Sequence, residues 1–207
     1  MQPPDATTLA GKLSHTTFLD LFQRLDREAL DSVWEGGDAA AALEKIVHDK
    51  TADWHARFLA AEILFVKLPS YPPPDATADL VEVYAAALRN APASMANPWG
   101  LPGRPDGQIA EHVLRLGDGA VASLSALLDD ARPVTYGGSQ EAAFGNSYRF
   151  RVKDIAAALI ARIRALPFAA GTRPKARDAA ILELRRFLEA GNERRSGPSR
   201  NRRRGLV

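Results

Sequence analysis

Leu43-Glu-Lys-Ile46-Val47-His-Asp49 and Leu124-Ser-Ala-Leu127-Leu128-Asp-Asp130 carry one pattern, 81 residues apart. Each has an apolar residue, two spacers, two apolar residues, one spacer and Asp. A second pair matches at an offset of 96 residues: Ala56-Arg57-Phe-Leu-Ala60-Ala61-Glu-Ile63-Leu64 and Val152-Lys153-Asp-Ile-Ala156-Ala157-Ala-Leu159-Ile160. Apolar residues at spacings of three and four place one stripe on one face of a helix. The Ala-Ala step lets two helix axes approach closely, with larger side chains one turn on. Self-similarity of this kind is the mark of stacked helix pairs.

These segments resemble the HEAT-like (armadillo-type) α-helical repeat family, in which a helix ending in Asp is followed by Val-Arg and an Ala-Ala second helix. The resemblance covers residues 38–66 and 118–164 well and the other helices loosely. It implies an all-α, HEAT-like solenoid in which Asp49 pairs with Arg57 and Asp130 with Lys153. It implies almost nothing about chemistry, because such repeats serve scaffolds, lyases and nucleic-acid binders alike.

Outward from the repeat, the spacing predicts about eight helices, near 14–29, 38–48, 53–67, 75–90, 106–116, 118–129, 151–165 and 174–190. Ser14 or Thr16 is expected to cap the first. No alternating run of Val, Ile and Thr marks a strand. Residues 91–107 are dense in Pro and Gly and read as a loop, and 131–150 as a second irregular stretch. Asp49 and Arg57 stand 8 residues apart, Asp130 and Lys153 23 apart, so the second copy holds a 15-residue insertion between its helices. Loops this long in a compact domain commonly bind something.

The insertion contains Tyr136, Phe144, Tyr148 and Phe150, too aromatic for a bare linker. Tyr136, Glu141, Tyr148, Arg149 and Arg151 form a candidate binding patch, since repeat insertions gather on one face. The competing reading has the same aromatics filling a local core. Trp99, in Asn97-Pro98-Trp99-Gly100, is either an exposed anchor or a plug under its own loop.

The chain has no cysteine, which removes disulfides and thiolate metal sites. Its net charge is +2, but Glu193–Val207 holds six arginines against one Glu, leaving residues 1–192 at −3. Residues 1–192 are expected to form a single domain and 193–207 a disordered basic tail. His15, His48, His55 and His112 stand on separate predicted helices without zinc spacing, and no glycine-rich phosphate loop or Gly-x-Ser-x-Gly occurs. No cofactor, metal or catalytic constellation is expected. With no apolar run near 20 residues and no secretory leader, a cytoplasmic location is the default. The reading that follows is a non-enzymatic protein-interaction or scaffold module, binding another protein through the solenoid face and residues 131–151. The alternative is nucleic-acid binding through the Arg-rich tail.

Overall fold

The computed structural model describes residues 5–23, 28–34, 38–94, 96–138 and 140–196, and among them the regular elements are all helices. They are α1 (Ala6–Ser14), α2 (Phe18–Phe22), α3 (Glu28–Trp34), α4 (Ala39–His48), α5 (Trp54–Lys67), α6 (Thr77–Arg89), α7 (Gln108–Leu116), α8 (Gly119–Ser125), α9 (Gln140–Tyr148), α10 (Val152–Arg164) and α11 (Pro174–Ser196). None of them is long and apolar enough to cross a membrane.

α5 is the centre of the core. Asp53 caps it by accepting from the His55 and Ala56 amides, and every residue from Ala56 to Phe65 is buried. A helix apolar on all sides needs neighbours on all sides. α1 and α4 cover one flank of α5 and α6 another; α6 then packs on α8, α8 on α10, and α10 on α7 and α11. Both copies of the sequence pattern bury the same positions: Leu43, Ile46 and Val47 in α4, Leu124 in α8 with Leu127 and Leu128 in the turn after it, and Ala60, Ala61, Ile63 and Leu64 in α5 against Ala156, Ala157, Leu159 and Ile160 in α10.

The expected ion pairs within the copies are replaced by something else. Asp49 turns back to accept from the amide and hydroxyl of Thr51, and Asp130 accepts from the amide and guanidinium of Arg132. Each carboxylate therefore closes a turn with the residue two positions on. Arg57 instead donates through Nε to the Val47 carbonyl at 2.9 Å, capping the end of α4. The Lys153 amide donates to the Asp130 carbonyl at 3.0 Å, while its ammonium pairs with Asp178.

Three other expectations are corrected. The helix predicted over 14–29 is three short helices, because Ser14 and Thr16 bond back to the Ala10 and Lys12 carbonyls and end α1. Thr17 then caps α2 in a reciprocal pair with Asp20. The stretch from 131 to 147 is not wholly irregular, since it contains α9. α11 passes the predicted stop at Gly191 and continues to Ser196, into the expected tail; residues 197–207 lie outside the described residues.

Several surface carboxyls are held below the ordinary carboxylate range: Asp79 by a hydrogen bond from His48, Asp130 by Arg132, and Asp178 by Lys153 and then Arg151. A carboxyl depressed in the fold stabilises it above the unfolded value, about 3.9 for Asp, and loses that contribution as pH falls through the folded value. Thermal denaturation should accordingly show Tm flat from pH 5 to 7 and falling steeply below pH 4. Asp178→Asn should lower the neutral Tm and flatten the acid limb.

Candidate functional site

The two irregular segments are built against each other. The Ala96 amide donates to the Thr135 carbonyl at 2.8 Å, and the Asn97 side chain both accepts from the Gly137 amide and donates to its carbonyl, at 2.8 and 3.1 Å. Tyr136, buried, donates its hydroxyl to the Gly100 carbonyl at 3.0 Å. Asn146 of α9 brackets the Tyr136 backbone with two more bonds. α9 can lie this close because position 145 is glycine: a Cβ there would stand 2.3 Å from the Tyr136 ring.

The end of the insertion is clamped by ions. Arg177 of α11 is fully buried and donates to Asp154 at 3.0 Å, to the Tyr148 and Arg149 carbonyls, and to the Gly171 and Thr172 carbonyls. Its guanidinium also lies 4.8 Å from the Phe150 ring centroid. Arg151 adds a second cation, bonded to Asp154 and Asp178. Burial acts to weaken its proton affinity, but the hydrogen bonds it donates to Asp154 and Asp178 outweigh that and hold it above the ordinary value. One buried carboxylate thus orders the end of the insertion, the start of α10 and the start of α11.

The candidate residues are divided by this arrangement. Tyr136 and Tyr148 meet through Phe150, at ring separations of 6.4 and 5.8 Å. Arg151 faces the ion cluster. Arg149 holds a left-handed φ of 52°, offers its carbonyl to Arg177 and leaves its side chain exposed. The backbone of Glu141 is on α9, and its side chain lies outside the described residues. Trp99 is elsewhere, as a wall of a cavity.

That cavity, of about 320 Å³, is lined by Phe18 and Leu19 of α2, Trp54, His55 and Phe58 of α5, and Trp99 and Ile109, with Thr17, Ala87, Ala93, Ser94 and Pro98 completing it. Among the described residues, none of 131–151 and no carboxylate, Lys or Arg is one of its walls. Trp99 is 3% exposed and Leu19, at the rim, 38%. Gly107 supports the loop that carries Trp99, since a Cβ there would stand 2.2 Å from the Pro98 carbonyl oxygen.

Beneath the cavity is a polar cluster that the sequence reading missed. Glu62, with no exposed surface, accepts from the Tyr84 hydroxyl at 2.5 Å, from His112 Nδ1 at 2.8 Å and from Gln108 Nε2 at 2.8 Å. His112 stacks on Phe65 at 4.3 Å. Burial, then the neighbouring Glu62 charge, drives the Tyr84 hydroxyl well above its usual range, so it stays protonated and donates. Three cavity walls stand one helical turn from this cluster: Phe58 four residues before Glu62, Ala87 three after Tyr84, and Ile109 three before His112. The signal in the sequence was a lone Glu within the otherwise apolar run from Phe58 to Phe65, which a buried helix tolerates only if donors meet it.

Among the described residues no group of three or more His, Asp and Glu side chains is placed to hold a metal. No protein-family model, curated protein or solved structure matches the chain.

Removing one partner of a buried, bonded charge costs more than losing a surface pair, roughly 3–5 kcal/mol. Asp154→Ala should therefore destabilise the protein by about that much in urea denaturation, and by far more than Asp129→Ala, whose pair with Arg185 is exposed and screened by solvent. Gly145→Leu should cost roughly 1–3 kcal/mol by forcing α9 off Tyr136.

Proposed function

We propose that this protein is a non-enzymatic interaction module of HEAT-like helix pairs, which holds an apolar side chain of a partner protein in the cavity between Trp54 and Trp99. The observation that carries this reading is the cavity itself: among the described residues, Phe18, Trp54, Phe58 and Trp99 and no carboxylate, Lys or Arg surround a space with the exposed Leu19 at its rim. Protein interfaces concentrate their energy where an anchor side chain fills such a dry pocket. The residues 131–151 enter as the brace that fixes the Trp99 loop, through Ala96, Asn97 and Gly100, with Phe144 and Tyr148 as added contact surface.

Two features support the HEAT-like part. α4/α5, α6/α7 and α8/α10 form successive contacting pairs; the first helices touch in the order α4, α6, α8, and the second helices are joined by the Glu62–His112 bond and by α7 on α10. Asp49, at the end of α4, and Asp130, after the turn that follows α8, also each accept from the residue two positions on. The nucleic-acid alternative rests on the six arginines of residues 193–207, of which Arg194 and Arg195 fall on α11 and the other four lie outside the described residues.

The test is affinity capture with the wild type, with Leu19→Asp and Trp54→Ala in the cavity, and with the exposed Phe144→Ala, each verified as folded by circular dichroism. Specific partners should be lost with both cavity variants, by tenfold or more in affinity, and weakened at most threefold by Phe144→Ala. A partner set indifferent to both cavity variants overturns the reading.

A further inference from the structure

The walls of the cavity also state what kind of anchor it takes. His55 lines it, and its Nε2 lies 2.8 Å from the Thr16 carbonyl oxygen. A carbonyl can only accept, so Nε2 carries the proton, and in the neutral ring Nδ1 is an acceptor. No described residue bonds that Nδ1. Of the other polar groups on the lining side chains, the indole N–H groups of Trp54 and Trp99 can only donate, the Thr17 hydroxyl is engaged with Asp20, and the Ser94 hydroxyl reaches the Ala91 carbonyl at 3.5 Å. The cavity thus offers aromatic walls from Phe18, Trp54, Phe58 and Trp99, and one imidazole acceptor fixed in tautomer by the backbone.

An occupant that fits has a flat apolar body and a single N–H donor. A cation would be surrounded by ring faces, but no carboxylate among the walls would offset its desolvation, whereas a neutral donor carries no such cost. The volume of about 320 Å³ is at the small end of ligand sites, the scale of one bicyclic side chain with its backbone. The geometry points to a tryptophan of the partner protein as the anchor, its indole N–H donating to His55 Nδ1 and its rings packed among Trp54, Trp99 and Phe58. This rests on the interaction-module reading above and specifies its partner.

Isothermal titration with indole, 1-methylindole and tetramethylammonium on the full chain separates the claims. Indole should bind, and 1-methylindole, which keeps the rings and lacks the donor, should bind at least tenfold more weakly. His55→Leu should erase that difference while retaining the ring affinity. Because this variant also loses the bond to Thr16, Thr16→Ala serves as a second variant: Thr16 is not among the cavity walls, the substitution removes only its hydroxyl bond to the Lys12 carbonyl in the same turn, and it should leave the indole preference intact. Equal affinity for both indoles overturns the tryptophan assignment and leaves the cavity reading standing. Tetramethylammonium binding more tightly than indole also overturns it, in favour of a cationic anchor. If neither indole binds, the tryptophan assignment falls, while the cavity reading stands or falls on the capture experiment with Leu19→Asp and Trp54→Ala.

Discussion

A carboxylate with no access to water sits in the middle of the most buried helix, and the architecture follows from satisfying it. Glu62 cannot be solvated, and α5 is apolar around its whole circumference, so its donors must come from other helices. Tyr84 reaches it from α6, and Gln108 and His112 from α7. Three bonds of defined length and direction fix the rotation and register of both helices against α5, which apolar packing alone does only loosely. The cavity opens one turn away along the same three helices. Its shape is a consequence of the register that Glu62 imposes.

The second constraint works at the other end of the chain. Arg177 spends all five of its donors inside the protein, four of them on backbone carbonyls of irregular segments. A helix or strand satisfies its own backbone, but the turns at 148–149 and 171–172 do not, and a buried guanidinium supplies what they lack. The long insertion is thereby made rigid enough to brace the loop that carries Trp99. Loops positioned by a rigid scaffold are where binding surfaces are commonly built.

Much of the helical content was legible because the repeat buries equivalent positions in both copies: Ala60-Ala61 and Ala156-Ala157 report close helix approach by their size alone. Asp53, as a cap, and Gly117, at a φ of 60°, were equally readable, being local signals. What failed was of two kinds. α9, Gln140–Tyr148, has no apolar stripe, so periodicity is silent about it; it exists because Tyr136 and Gly145 interlock. The pairing of Asp49 and Asp130 was misassigned because carboxylates at helix ends have competing partners two residues on, and spacing cannot rank them. The long segment expected after Asp130 does separate α8 from α10, yet Trp99 and residues 131–151 serve different faces of one brace rather than a shared pocket. His55 and Glu62 stand seven residues apart on α5, but no local rule brings Tyr84, Gln108 and His112 to Glu62, or Trp99 to the cavity that His55 lines.

The most direct measurement of the central constraint is the ¹H–¹⁵N spectrum of the tryptophan side chains in a folded Glu62→Leu variant, without ligand. If the Glu62 cluster sets the register of α6 and α7 and with it the cavity walls, the indole signals of Trp54 and Trp99 move or broaden relative to the wild type. Indole signals of Trp54 and Trp99 unchanged in that variant would contradict it, and would mean that apolar packing alone shapes the site.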